Sequence, residues 1–437
     1  MTLSRRDFLA LAGIGGAAAA LAGCGGQLEP ADVTVAGFGE GASGTLNLWC
    51  RSDTLTGNEA MVEAFHAAQE RIRVELTPIP NSQYVTKLAT AIRGRRPPDL
   101  VDIDDIYSAL FIYRDAFTDL TPLIEELPYR DRLSPGHLGL ATKDDRFYAV
   151  PFLADNSVLF CNLDLFERAG VDVDEATGSF AGYLEAARAI SALEEDVYGW
   201  SYPGNASGAL GFTVQPHIWA TDTDLIAGQI GGQTGNVAGN ESVRRTLELL
   251  RTFWEEDLVP PVAYADDASR WNADYLSGRI GMKPASYGVI VPDADPALLE
   301  RTEVRLLAGP DGGVSFFDGG DNFAIPNGAA NPSAAWEYVR FCLEIEQQSN
   351  LPAGGYTPVR ADAATDAFRE QFPLAVAPLE QLDAGYAPLS LSYNRIYNQP
   401  DGPWLEMFRR AVFAGEIEAA MDEAQDRYDL ILRQGDA

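Results

Sequence analysis

Arg146–Gly170 reads RFYAVPFLADNSVLFCNLDLFERAG. Its two apolar runs, Phe147–Leu153 and Val158–Phe160, are short and rich in β-formers, which favours strand over helix. Between them stands a polar cluster, Asp155-Asn156-Ser157, where a buried strand stays apolar. Pro151 has no amide donor, which confines it to a strand edge or to a segment in passage. After Cys161 the pattern switches to a short helix, Asp164–Ala169, closed by Gly170. One reading is an ordinary buried strand with a bulge. The reading taken here is a segment that leaves one lobe, crosses a cleft and opens a second lobe, with polar groups exposed in the gap.

The chain is long enough for that division. At 437 residues it exceeds the size at which one core stops growing, and 46% apolar residues exclude a mainly disordered protein. Acidic residues number 64 against 32 basic ones, a net charge of −32, and all but Lys87, Lys143 and Lys283 of the basic residues are arginine. Nucleic acid and anionic membrane surfaces would be repelled, so neither is an expected partner. The self-repulsion would be screened by salt, and a salt-loving source is the expectation.

Upstream of the quoted stretch, Leu46-Asn47-Leu48-Trp49 alternates as a strand and meets the polar turn Arg51-Ser52-Asp53. Asn58–Gln69 places Met61, Val62, Phe65 and Ala68 on one helical face. Val74–Pro78 is a strand, Gln83–Arg93 a helix, and Asp99–Ile103 a strand after Pro97-Pro98. A β-α-β-α-β run indicates a mostly parallel sheet covered by helices. In such sheets ligands lie outside the carboxyl ends of the strands, which selects Arg51, Ser52 and Asp53, and Asp104, Asp105 and Tyr107.

Downstream, Ser179–Leu193 is a helix with Ser179 as N-cap. Tyr198–Tyr202 and Gln215–Trp219 mix aromatics with small polar groups, as carbohydrate sites do, because a sugar ring offers an apolar face and paired hydroxyls. Trp219 is read as loop-like and exposed to ligand, and Trp254 as core. His66 reads as solvent-facing and His217 as a possible ligand contact. Trp271–Ile280 reads as a helix before the Gly281–Lys283 strand and the Ser286-Tyr287 turn. Gly319–Phe323 leads into a strand, Asn331-Pro332 opens a helix, and Gly354–Pro358 is a turn-rich return. Cys50, Cys161 and Cys342 show no metal or redox spacing; three buried thiols are expected, with one disulfide and one free thiol as the alternative. No nucleophile elbow, zinc-protease motif, phosphate loop or complete calcium loop is present, so no catalytic residue, cofactor or metal is expected.

The N-terminus reads as an address. Arg5-Arg6 precede the Gly- and Ala-rich run Leu9–Ala22, about 14 residues where a membrane span needs roughly 20. Paired arginines before such a run indicate twin-arginine export. Leu21-Ala22-Gly23-Cys24 is similar to a lipobox, which makes Cys24 the lipid-bearing residue and the lipid the only membrane contact. The expected divisions are 1–23 as signal and 24–44 as a flexible tether.

Three stretches together, YAVPFLADNSVLFCNLDLFERAGV, YLSGRIGM and GGDNFAIPNGAANPSAAWEYVRFCLEIEQQ with GGYTPVR, resemble the extracellular solute-binding proteins of ABC importers, in the sugar-binding branch typified by maltose binders. The resemblance implies a two-lobed α/β fold of the second periplasmic-binding-protein type, with 45–151 and 319–364 in lobe 1 and 152–318 and 365–437 in lobe 2. It implies crossings near Val150–Ser157, Phe317–Gly319 and after Arg360, a sugar held between the lobes by hinge closure, a permease as partner, and no catalysis. The contacts expected in all are Trp49, Arg51, Ser52, Asp53, Asp104, Asp105, Asp155, Asn156, Gln215, His217, Trp219, Tyr287, Asp321, Asn322, Tyr356 and Trp404. Departures stand at Cys161-Asn162-Leu163, where the family has Tyr-Asn-Lys, at Tyr287, where a stacking Trp is common, and at Thr221–Asp224 after Trp219. Two alternatives stay open: the same fold holding a polyamine or a glycerol phosphoester, and a secreted glycoside hydrolase using two carboxylates.

Overall fold

Val150–Asn162 forms one unbroken strand of 13 residues, and its partners change halfway along it. From Val150 to Asn156 it pairs antiparallel with Val314–Ala324, Asn156 opposite Asp318 and Val150 opposite Phe323. From Ser157 to Asn162 it pairs instead with Ile280–Ser286 on one side and Thr302–Arg305 on the other. The polar cluster thus marks the point of passage. A bulge is present as well: the register shifts between Asp321 and Asn322, which face Leu153 and Pro151, so the missing Pro151 amide sits at an irregularity. Gly320 lies opposite Ala154 at φ +140, and a side chain there would collide with the Leu153 carbonyl. Only glycine lets the two crossing strands approach this closely.

The computed structural model describes residues 28–435. Its main sheet runs Ile72–Ile79, Gly44–Arg51, Leu100–Asp104, Val314–Ala324, Val150–Asn162, Ile280–Ser286 and Tyr198–Trp200. The first three are parallel, Arg51 opposite Ile79 and Trp49 opposite Val101, as the β-α-β-α-β run predicts. The helices Leu55–Ala68 and Asn81–Arg93 cover them, burying Met61 and Phe65 from one and Tyr84 and Leu88 from the other. Four-residue spacing puts each pair on one face.

Hydrophobic burial is divided along the crossing strand. Phe152 belongs to a core with Leu48, Phe65, Phe323 and Trp336, and its ring stacks on Phe323 at 3.9 Å between centroids. Leu159 and Cys161 belong to another core with Tyr183, Trp200, Leu247 and Trp404. Each fully buried Phe or Leu contributes about 1.5–3 kcal/mol relative to exposure, so one strand is anchored at both ends. Cys50, Cys161 and Cys342 are buried and free, and burial pushes the Cys50 thiol up to about 12.

Several sequence expectations change. The tether does not hang free where it is described. Ala31 N donates to Thr118 Oγ1 at 3.2 Å, Gly328 N donates to Glu29 O at 2.8 Å, and Val33 is buried. Arg5, Arg6 and Cys24 lie outside the described residues. Gln215–Trp219 is not a loop but the end of the helix Ser207–Trp219, which accommodates Pro216. The helix expected over Trp271–Ile280 is reduced to Ala273–Leu276, because Gly278 turns the chain at φ +74 into the next strand. Trp254 is half-buried against Phe413 and Tyr264, with Phe253 taking the core position. His66 is exposed but accepts from Val74 N at 2.9 Å. The Ser179 and Asn331 caps form as expected. Among the described residues no helix is long and apolar enough to cross a membrane.

Candidate functional site

Two strand ends and the interior of a crossing strand converge where the crossing strands leave the first lobe. Gly44–Arg51 delivers Arg51-Ser52-Asp53, Leu100–Asp104 delivers Asp104, and antiparallel pairing sets Asp321 directly beside Asp104. Asp321 is fully buried, so its charge requires a cation, and Arg51 supplies it. The guanidinium is bidentate on Asp321, Nε to Oδ2 at 2.7 Å with Nη2 on Oδ1, while Nη1 lies 3.2 Å from Asp104 Oδ2. The fork geometry of arginine suits this double clamp.

Around Arg51 stand more carboxylates than one guanidinium can neutralise. Burial raises Asp104 to about 6, with Arg51 opposing the shift and Asp321 adding to it. Asp155 is half-buried on the first crossing strand; burial raises it too, and it accepts from the Ser286 hydroxyl. Asp53 is exposed, with its carboxylate held by Asn81 Nδ2 and its carbonyl by the Tyr356 hydroxyl. Ser52 Oγ donates to Asn81 Oδ1 at 3.2 Å. These groups form an open polar wall able to accept hydrogen bonds from hydroxyl or ammonium groups.

Behind that wall the polar groups are closed on each other. Asp102 is buried under Thr54 and Asn58, and burial together with Asp321 keeps it well above the usual carboxylate range. Asp318, on the second crossing strand, accepts from Ser134 Oγ and, at 3.0 Å, from Asn156 Nδ2; Asn156 Oδ1 accepts from Thr357 Oγ1 at 2.7 Å. Thr357 pairs with Ala154, so three chain segments meet at one buried node. His137 joins it, its Nδ1 3.1 Å from Asn322 Oδ1 and its Nε2 3.1 Å from Gly319 O.

The second lobe carries an aromatic cluster. Phe212 and Trp271 are half-buried and meet edge to face at 6.0 Å, and Phe212 also packs on Phe317 of the second crossing strand at 5.3 Å. The Trp271 indole N–H finds no acceptor among the described residues. Tyr107, on the helix after Asp104, donates to Asn394 Oδ1 at 2.8 Å and so links the two sides.

Of the residues singled out from the sequence, Arg51, Ser52, Asp53, Asp104, Asp155, Asp321 and Tyr356 are gathered here; Tyr287, on the short helix after Ser286, is instead buried in a cluster with Phe368 and Leu379. Others sit inside the protein instead. Asp105 is buried beside His137 and Asp318, with burial and then Asp104 holding it well above the usual carboxylate range. Asn156 and Asn322 serve the crossing node. Gln215 is buried, donating to Gly211 O and the Tyr393 hydroxyl. His217 lies among Phe180, Tyr183 and Trp200 with Nδ1 2.7 Å from Ala308 O, and burial lowers it to about 4. Trp219 donates to Asp224 at 3.0 Å and packs on Phe317 and Tyr386. Trp404 is fully buried. Trp49 is half-buried against the first-lobe core, its carbonyl accepting from Tyr84. Sequence reasoning missed Asn81, Phe212, Trp271 and Asn394. Asn81 was within reach, since it follows a parallel strand ending at Ile79. Among the described residues no group of three or more His, Cys, Asp or Glu is arranged to hold a metal ion.

A family model described as bacterial extracellular solute-binding protein matches residues 52–349. The diacetylchitobiose binding protein DasA of Streptomyces coelicolor is 25% identical over 433 residues, covering 95% of this chain and 96% of that protein. The sn-glycerol-3-phosphate-binding periplasmic protein UgpB of Agrobacterium fabrum is 22% identical over 426 residues, covering 88% and 92%. The solved structure of the sugar-binding protein MalE from Xanthomonas citri superposes with a TM-score of 0.78 at 21% identity, covering 90% of this chain and 98% of that one; at that identity the likeness speaks to fold alone.

Proposed function

This chain belongs to the bacterial extracellular solute-binding protein family, and from that premise we propose that it captures a sugar or oligosaccharide between its two lobes and presents it to the permease of an ABC importer. The observation that carries the reading is an open carboxylate wall, Asp53, Asp104 and Asp155, at the strand ends, together with half-buried rings, Phe212 and Trp271, in the second lobe. Hydroxyls find acceptors on one side and a sugar ring finds an apolar face on the other. Tyr107, Ser52 and Tyr356 complete the contact set. The lobes divide within the strand Val150–Asn162, where Phe152 packs in the first core and Leu159 in the second, and again near 319 and 364. Closure about the crossing strands is favoured by the ligand only through its stronger binding to the closed form. A glycerol phosphoester is the weaker reading, because both forks of Arg51 are already taken by carboxylates. The sequence signals support export by the twin-arginine route and a lipid at Cys24 that holds the protein on the outer face of the membrane. The net charge of −32 supports a salt-loving source; molar KCl should raise its unfolding midpoint.

Titration calorimetry with a panel of neutral mono- and oligosaccharides tests the reading. Saturable heat with a raised melting temperature is expected. Silence across the panel by both methods overturns it.

A further inference from the structure

The charges of the cleft do not balance, and the imbalance has a consequence for what it holds. Arg51 is the guanidinium of the cluster, and fully buried Asp321 already claims two of its nitrogens. Its third nitrogen faces Asp104. No fork is left for an incoming anion, although forked donors are what phosphate recognition uses. On the acidic side, Asp155 is half-buried, takes its hydrogen bond from the neutral Ser286 hydroxyl, and joins no ion pair among the described residues. Asp53 lies in the same cluster, bonded by the neutral Asn81 amide. A half-buried carboxylate whose neighbouring guanidinium, Arg51, is already shared by Asp321 and Asp104 is costly for the protein to keep, and a ligand cation relieves that cost. Half-buried Phe212 and Trp271, edge to face at 6.0 Å, give the second lobe an aromatic surface.

We infer that the cleft selects by charge, taking saccharides that carry an ammonium group in preference to their neutral counterparts and refusing phosphorylated solutes, with Asp155 and Asp104 as the residues that set the preference; this rests on the sugar-binding reading above. An ammonium donates hydrogen bonds to carboxylates that are charge-assisted and stronger than those from a hydroxyl of the same reach. The overall charge of −32 would draw any cation toward the protein, so the selective part is the part that depends on these two side chains.

The test uses the full folded chain, calorimetry at pH 7 and three probes: cellobiose, the disaccharide in which both 2-hydroxyls of cellobiose are replaced by ammonium groups, and sn-glycerol 3-phosphate. The ammonium disaccharide should bind at least about tenfold more tightly than cellobiose, and the phosphate should give no heat. Asp155→Asn and Asp104→Asn should each bring the ratio to within about twofold. Asp366→Asn removes the same formal charge from a fully exposed position and should leave the ratio unchanged. Equal binding of the two disaccharides, tighter binding of cellobiose, or a ratio that moves equally in Asp366→Asn overturns the inference while leaving the sugar reading intact. If neither these disaccharides nor the neutral panel binds, both fall together.

Discussion

Asp155 and Asn156 are neighbours on one strand and face opposite fates. Asp155 looks toward Arg51 and the carboxylates at the strand ends, half-buried and with a single neutral donor, Ser286. Asn156 turns the other way, where its amide bonds Asp318 and Thr357 and is sealed from solvent. A polar residue inside a strand thus has two distinct meanings here. One is left under-satisfied where a guest can complete it; the other is fully satisfied and fastens the segments about which the lobes would turn. Two-residue alternation along a strand is what lets both occur side by side.

The difference can be broken or sharpened by substitution. The largest effect is expected from Arg51→Met, which strands the buried Asp321 charge: urea unfolding should show a loss of about 3–5 kcal/mol, and an unchanged midpoint would mean the clamp is not holding the cleft floor. Asn156→Ala should cost about 2 kcal/mol by the same method, since a buried carboxylate and a buried hydroxyl each lose a partner. Asp155→Ala should stay within about 0.5 kcal/mol of the parent in stability yet weaken solute binding at least about tenfold. If it destabilised as much as Asn156→Ala, the two faces would not differ as described. The last test is a pH dependence, read by the sign of its slope. Asp104 is raised in the folded protein to about 6 from 3.8, so the folded state holds its proton longer than the unfolded chain. Between about pH 4 and 6 the parent should therefore lose stability, relative to Asp104→Asn, as pH rises, and run parallel to it above. A difference of opposite slope would contradict the assignment.

Much of the architecture was legible from the chain. Parallel strands and helices of the first lobe follow from period and punctuation, and the crossing follows from a polar triplet inside an apolar run. The strand-end rule found Arg51, Asp53 and Asp104 because backbone topology alone puts them there. What failed were residues whose role depends on distant partners. Gln215-Pro216-His217 carries loop-like composition, yet it closes a helix whose burial comes from Phe180, Tyr183 and Ala308. The glycine-rich segment before the first strand reads as slack, yet Thr118 and Gly328, far away in sequence, hold it down. Phe212 and Trp271 sit in unremarkable contexts and meet only in the fold. Asp102 and Asp105 are indistinguishable from Asp104 in the sequence; register decides which of the three is left open.

The claim that matters most is that a small hydroxyl-rich solute is held between the carboxylate wall and the aromatic side, touching both lobes at once. A crystal structure of the protein with its tightest-binding disaccharide measures this directly. The account predicts ligand density within hydrogen-bonding reach of Asp155 and Asp104 and in contact with Phe212 or Trp271. Density confined to one lobe, or lying elsewhere on the molecule, would contradict it.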